Sequence, residues 1–253
     1  MKIDRFKKMA NNKYRIYLED GNFIDTYDEV IISNNLLYKK ELDDDLTSKI
    51  VDDNKYFNLY NKCIKMLSTK LKSTYSIRKY LEKELDDEDI TKIIKKLTSI
   101  GLLDDIVYTK AYIKDKINFT NQGPNKIYND LIDEDINENI ILEEFKNIDK
   151  TTYEEKINRY IAKKLNTNKY SGYIFKQKVL TELINMGYDK EMILEILSSY
   201  DIKDNIDREF NKIYSKLSKK YSGMDLIRNI KNKLYQKGYS KESIDEALKK
   251  VDI

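Results

Sequence analysis

The sequence predicts an all-α protein, an elongated array of tandem three-helix repeats, with four units of about 50 residues behind a small N-terminal extension that contains a β-hairpin. Three observations carry this. Polar residues suited to capping a helix recur at Asp86, Asn137, Asp189 and Ser240, spaced by 51, 52 and 51 residues. Four positions after each stands an isoleucine (Ile90, Ile141, Ile193, Ile244), and eight after stands Ile94, Phe145, Leu197 or Leu248. Five or six before each stands a leucine: Leu81, Leu131, Leu183, Leu234. A side-chain oxygen at such a cap accepts from the free N–H groups of the first helical turn, and apolar residues at spacings of three and four share one helix face.

Taken in chain order, residues 1–53 form the extension. Tyr14, Ile16 and Leu18 alternate with Lys13, Arg15 and Tyr17, and Asp20-Gly21 separates them from Phe23 and Ile24, a strong hairpin signal. A two-stranded hairpin is marginal alone, and its packing partner is read as Val30-Ile31-Ile32. Asp43-Asp44-Asp45 starts a helix leading into the first repeat. The repeats span 54–103, 104–150, 151–204 and 205–253. Each begins with its longest helix, marked by Tyr56, Tyr60, Ile64, Leu67 and Leu71 in the first and by Phe210, Ile213 and Leu217 in the fourth. A shorter helix follows a turn signal: Ser73-Thr74, Gly123-Pro124, Ser171-Gly172 or Ser222-Gly223. Pro124 suits the first helical position, where a missing N–H costs nothing. Gly187 and Gly238 suit left-handed positions after the second helix, and the third helix is the capped one. Stacked neighbours should give a radius of gyration well above the roughly 18 Å of a compact chain of this length.

Composition narrows the function classes. The 253 residues carry no histidine or tryptophan, one cysteine and one proline. That excludes histidine-dependent nucleophilic triads, HExxH zinc helices, an intrachain disulfide and cysteine-based zinc fingers. Glycine-rich phosphate loops are absent. Asp133-Glu134-Asp135-Ile136-Asn137 imitates a calcium loop as far as Glu144, but Glu138 stands where the loop requires glycine, so the acids read as a helix start favoured by the dipole. Asp104-Asp105 reads the same way. Cys63 has the spacing of a small core residue. No cofactor, metal or small-molecule substrate is expected, and no enzyme. The basic start lacks the apolar run of a signal peptide, and no segment approaches a membrane span, so the chain reads as cytoplasmic without a membrane partner.

Net charge is only +3, but it is unevenly spread: +5 over residues 54–103, −5 over 104–150 and +5 over 205–253. Lys70, Lys72, Arg78, Lys79 and Lys83 crowd one turn of the first repeat. Lys216, Lys219, Lys220, Arg228, Lys231, Lys233 and Lys237 crowd the corresponding region of the fourth. Such sets suit an anionic partner, either a phosphate backbone or an acidic protein face, with a merely solvated polar face as the plain alternative.

Several local motifs, in their order, resemble the RecX family of bacterial RecA regulators. They are Ser76-Ile77-Arg78-Lys79-Tyr80-Leu81, then Leu97 to Asp105 with Tyr108, Ala111 and Tyr112, then Gly123-Pro124-Asn125-Lys126-Ile127 with Leu131, and finally Leu234 to Tyr239 with Ile244, Ala247 and Leu248. The hairpin resembles the N-terminal extension of longer members. Two departures stand out: Asn121, Gln122 and Asn125 replace a commonly basic stretch, and Glu84 and Asp135 stand where the later repeats have Gly187 and Gly238. The resemblance implies a non-enzymatic regulator of recombination and DNA repair. Such a protein would bind in the groove of the RecA filament on single-stranded DNA, bridge neighbouring protomers, and inhibit strand exchange and ATP hydrolysis or promote filament disassembly. The alternative is a free-standing helical-repeat module that binds nucleic acid through its basic clusters.

Overall fold

The computed structural model describes residues 1–10, 12–204 and 206–250; Asn205 and residues 251–253, within the bounds of the fourth repeat, lie outside that description. Two compact units result, one of Met1–Tyr108 with Glu134–Ile136, the other of Thr109–Asp133 with Asn137–Ile253.

The first unit opens with three antiparallel strands, β1 (Ile3–Lys8), β2 (Lys13–Leu18) and β3 (Phe23–Tyr27), in the order β1-β2-β3. The expected hairpin is β2–β3, with Ile16 opposite Ile24 and Gly21 at φ +87°. Asp20 accepts from the Asn22 N–H at 3.0 Å, which closes the turn. The first strand was not foreseen: its Lys and Arg residues hide the alternation that Ile3 and Phe6 supply. Ile16 and Leu18 face inward, while Arg15 faces out, pairs with Asp25 and lies 3.8 Å from the Phe23 ring centroid. Val30 and Ile31, on the short helix α1 (Asp28–Ser33), are buried under the sheet as expected, but Ile32 is 71% exposed. Its place in the core is taken by Leu36, Leu42, Leu46 and Ile50.

Asp43 caps α2 (Asp44–Thr69), accepting from the Leu46 N–H at 2.7 Å. This helix runs unbroken across position 54, so its first half serves the sheet and its second half the first helical trio. Leu71 lies beyond its end and is exposed. With α3 (Thr74–Leu81) and α4 (Asp87–Ser99) it encloses Leu59, Tyr60, Cys63, Leu67, Ile77, Leu81, Ile90, Ile93 and Leu97. Burial pushes the Cys63 thiol up to about 11, which leaves it a packing residue without a ready thiolate.

Three more trios follow: α5 (Asp105–Phe119), α6 (Pro124–Asp133) and α7 (Glu138–Lys146); α8 (Lys150–Leu165), α9 (Gly172–Asn185) and α10 (Lys190–Ser198); α11 (Ile206–Leu217), α12 (Gly223–Tyr235) and α13 (Lys241–Lys249). In the last trio the second helix is 13 residues and the first 12, against the expectation of a longest first helix. All four foreseen caps act as such, accepting from the N–H groups of Asp89, Asn139, Met192 and Ser243 at 2.9, 2.9, 2.9 and 3.1 Å. The isoleucines four positions on are at most 2% exposed, and so are the four leucines before the caps.

One junction recurs. The start of α6 meets the turn after α9: the Gly123 N–H donates to the Met186 carbonyl at 2.7 Å and the Asn125 N–H to that of Gly187 at 3.0 Å. The start of α9 meets the turn after α12 in the same way, with the Ser171 N–H donating to the Lys237 carbonyl at 3.0 Å. The start of α3 meets residues 134–136, where Glu134 accepts from Ser73 and Ser76 at 2.5 and 2.6 Å. Each receiving turn carries one left-handed residue: Gly187 at φ +91°, Gly238 at +84° and Asp135 at +55°. The missing glycine after α6 therefore does not change how that helix ends. Asp135 takes the same backbone region, one that Asp tolerates better than most residues.

Candidate anion-binding surface

The cationic residues foreseen from sequence divide into free and engaged groups. In the first unit, Lys70 caps the end of α2, exposed, and Lys72 is half-buried in the following loop. Arg78 on α3 donates to Asp87 at 2.5 Å, and Lys79 lies 5.0 Å from the Tyr75 ring centroid. The Tyr75 hydroxyl, by hydrogen bonding, holds the Lys79 ammonium above its usual range. Lys83 is exposed just past the end of α3, and Lys72 precedes its start.

In the second unit six of the seven residues form two groups, and Arg228 lies between them on α12. Lys216, Lys219 and Lys220 sit at and beyond the C-terminal end of α11, exposed and without ion pairs among the described residues; the helix dipole favours cations there. Lys231, Lys233 and Lys237 lie toward and just beyond the other end of α12, roughly 12 to 20 Å along the helix axis from its start. Three of the seven are engaged. Arg228 pairs with Asp225 at 3.2 Å, Lys231 with Asp245 at 2.7 Å, and Lys237 with Glu209 at 2.7 Å. The Lys237–Glu209 pair is largely buried, with side chains 19% and 10% exposed, so Lys237 ties the end of α12 to α11. Lys233 is exposed and unpaired.

A further cationic concavity was not foreseen. A cavity of about 410 Å³ lies where the end of α5 meets α8, lined by Lys156, Arg159, Lys163 and Phe119, with Glu155 the one carboxylate among its lining residues. Lys156 donates to the carbonyls of Ile117 and Thr120 at 2.5 and 2.7 Å, closing the end of α5; burial, then Arg159, lowers its pKa. Arg159 and Lys163 stay exposed, and Phe119 is 82% exposed. Their spacing of four on α8 was the available signal, masked by the near-neutral total of that repeat.

The acidic motifs have structural work. Asp104 accepts from the N–H groups of Ile106 and Val107 at 2.8 and 3.1 Å, and Asp105 from that of Thr74 at 2.8 Å. In the calcium-like stretch Glu134 serves α3, Asn137 caps α7 and Glu138 accepts from Tyr128 at 2.6 Å. Among the described residues no cluster of three metal-ligating side chains occurs, and no helix is long and apolar enough to cross a membrane.

Fold and surface together define a class: a tandem helical-repeat protein behind a small sheet, whose polar features are capping groups and exposed cations. No family model matches the chain. It is 26% identical over 254 residues to the regulatory protein RecX of Oceanobacillus iheyensis, covering 95% of this chain and 93% of that one. It is 28% identical to that of Listeria monocytogenes over 266 residues, covering 100% and 98%. A crystal structure of regulatory protein RecX superposes with a TM-score of 0.66 at 23% identity, over 78% of this chain and 99% of the other. RecX from Lactobacillus salivarius superposes at 0.53 with 22% identity, over 59% and 98%. The two structures share the fold. Over nearly its full length the chain is similar in sequence to regulatory proteins named RecX.

Proposed function

We propose that this chain is a non-enzymatic, cytoplasmic regulator of the RecA recombinase that binds the RecA filament on single-stranded DNA and lowers its ATPase and strand-exchange activity. The observation that carries the reading is similarity to regulatory RecX proteins across nearly the whole of both chains. The surface is compatible with it. Exposed cations occur in two separate helical trios, Lys70, Lys79 and Lys83 in one and Lys216, Lys219, Lys220 and Lys233 in the other, and two weak anchors on one chain share an effective concentration. Of the twelve residues foreseen, Lys237 is withdrawn from this set by its buried pair with Glu209.

The test is the single-stranded-DNA-dependent ATPase of the cognate RecA. Purified protein should lower it at substoichiometric ratios while hydrolysing no nucleotide itself. An unchanged rate at equimolar protein overturns the proposal. Strong, salt-steep DNA binding together with that unchanged rate would favour the free-standing nucleic-acid module instead.

A further inference from the structure

We propose that the cleft between the edge strand β3 and the facing side of α2 binds the phosphodiester backbone of a single-stranded nucleic acid, independently of any contact with a recombinase. Two adjoining cavities of about 370 and 530 Å³ make the cleft, sharing Lys13, Tyr27 and Asn58. From α2 it receives Lys55, Asn58, Asn61, Lys62 and Lys65, which the helical spacing of three and four brings to one side along about 15 Å. From β2 it receives Lys13. None of these lysines belongs to the basic clusters singled out from the sequence.

The cleft is built and polarised. Asn54 ties α2 to the strand edge, accepting from Thr26 at 2.8 Å and donating to the Asp25 carbonyl at 3.0 Å. Asn58 accepts from the Tyr27 hydroxyl at 3.3 Å, so its amide N–H₂ keeps its donors for an incoming acceptor. Lys13 is held over the Tyr27 ring at 5.0 Å. Lys55, Lys62 and Lys65 are exposed and form no ion pair among the described residues. Asp25 is the single carboxylate in the lining, and Arg15 occupies both its oxygens at 2.6 and 2.9 Å. Four ammonium groups and the carboxamides of Asn12, Asn58 and Asn61 thus face a space with no free acid to compete.

The lining also decides between polyanions. An acidic peptide gains most of its affinity from apolar or aromatic anchors seated in pockets. Here the only apolar body is Tyr27, which is 6% exposed and already covered by Lys13. A lining of donors without an apolar seat matches a repeating phosphate, and a positively charged groove that tracks the backbone is one part of sequence-tolerant single-strand binding.

Fluorescence anisotropy with fluorescein-labelled oligothymidylate, without RecA, tests this. Four phosphate contacts give a slope of log K against log salt near −2.8, or about 50-fold weaker binding between 50 and 200 mM salt. The variant Lys55→Glu/Lys62→Glu/Lys65→Glu should bind at least tenfold more weakly at 50 mM with a slope shallower than −1. Asn58→Ala should weaken binding severalfold with the slope unchanged, because the amide displaces no counterion. Lys146→Glu/Lys190→Glu/Lys203→Glu, with the same change in net charge elsewhere, should bind like the wild type. If the triple variant loses helical circular dichroism, Lys62→Gln alone decides, since it must flatten the slope by about 0.7. The proposal is overturned if the α2 variants bind like wild type. It is equally overturned if the charge control weakens binding as much, or if an oligoglutamate of equal charge displaces the oligonucleotide as well as unlabelled oligothymidylate does.

Discussion

The junction between the start of α6 and the turn after α9 gives the sharpest stability prediction, because glycine is required on both sides for different reasons. A Cβ on Gly123 would stand 2.5 Å from the Gly187 carbonyl carbon and the Tyr188 nitrogen, which are backbone atoms and cannot rotate away. Making room parts the two hydrogen bonds across the junction, each contributing about 1 kcal/mol, and adds strain of about 1–3 kcal/mol. Gly123→Ala should therefore cost about 2–4 kcal/mol after the smaller entropy of the unfolded alanine chain is allowed for. Gly187→Ala meets the Lys126 nitrogen at 2.5 Å and also forces alanine to φ +91°, a left-handed cost of about 1–2 kcal/mol, so it should be the worse of the two. Gly223→Ala, at φ +53° with nothing within 4 Å, isolates the backbone cost alone and should stay near 1 kcal/mol. Urea unfolding followed by circular dichroism reads these differences. A loss of 3 kcal/mol shifts the midpoint of the second unit's transition by about 1–1.5 M at a slope of about 2–3 kcal/mol/M. The double variant should cost less than the sum, because once the junction is open the second methyl group finds space. A Gly123→Ala midpoint no lower than that of Gly223→Ala would refute the close packing that the geometry describes.

Other expectations follow from the side chains. Lys237→Ala should lower stability by about 3 kcal/mol, since it leaves Glu209 buried without its partner, and urea unfolding no different from wild type would show the pair to be dispensable. Lys216→Glu/Lys219→Glu/Lys220→Glu should leave unfolding within about 0.5 kcal/mol per residue yet weaken co-sedimentation with RecA filaments more than Lys110→Glu/Lys114→Glu does, and the reverse order would place the partner on the middle repeats. The Cys63 thiol, with its pKa near 11, should resist a thiol-specific reagent at pH 8 in native protein and react once unfolded; prompt native reaction would contradict its burial.

The helical part of the fold was legible because its signals are local and periodic. A cap, a residue four positions on and a leucine before the cap all lie within one turn-and-helix, and burial then makes the pattern visible in composition. Ser240 and Ile244 could be assigned without knowing what they pack against. The first strand was not legible because β1 is an edge of a small sheet, and its outer positions carry Asp4, Arg5, Lys7 and Lys8, which suit solvent and not an alternating core. Ile32 failed for a related reason: three apolar residues in a row cannot share one side of a short helix, and Ile32 is the one turned out. The surface was legible only as composition. Sequence clusters lysines by number, whereas Lys231 and Lys237 are drawn to Asp245 and Glu209, residues 14 and 28 positions away. Conversely Lys13 and Lys62, far apart in sequence, share one cleft.

The left-handed turns show how a repeat can be read for its neighbours as well as for itself. A helix that ends in a left-handed residue turns its chain sharply and exposes backbone carbonyls beside a position with little side chain. Carbonyls at Met186, Gly187 and Lys237 are the ones that receive the N–H groups of Gly123, Asn125 and Ser171, free because they lie at helix starts. Two sets of unsatisfied backbone groups thereby cancel, and the smallness of glycine is what lets the backbones approach. At the turn after α3 that requirement disappears. Glu84 has no positive φ, and no helix start donates to the carbonyls there among the described backbone bonds. Asp135 occupies the intermediate case: it takes the left-handed region, but the contact it serves is made by a side chain, Glu134 accepting from Ser73 and Ser76, which does not need the backbones to touch. Glycine thus appears where a neighbouring helix start packs closely on the turn, aspartate where only the turn is needed, and neither where nothing docks. Asp135→Gly should accordingly be tolerated within about 1 kcal/mol, whereas Gly238→Ala should not, because its Cβ would overlap the Ile174 side chain. Urea midpoints that rank these two variants the other way would break the link between turn type and docking.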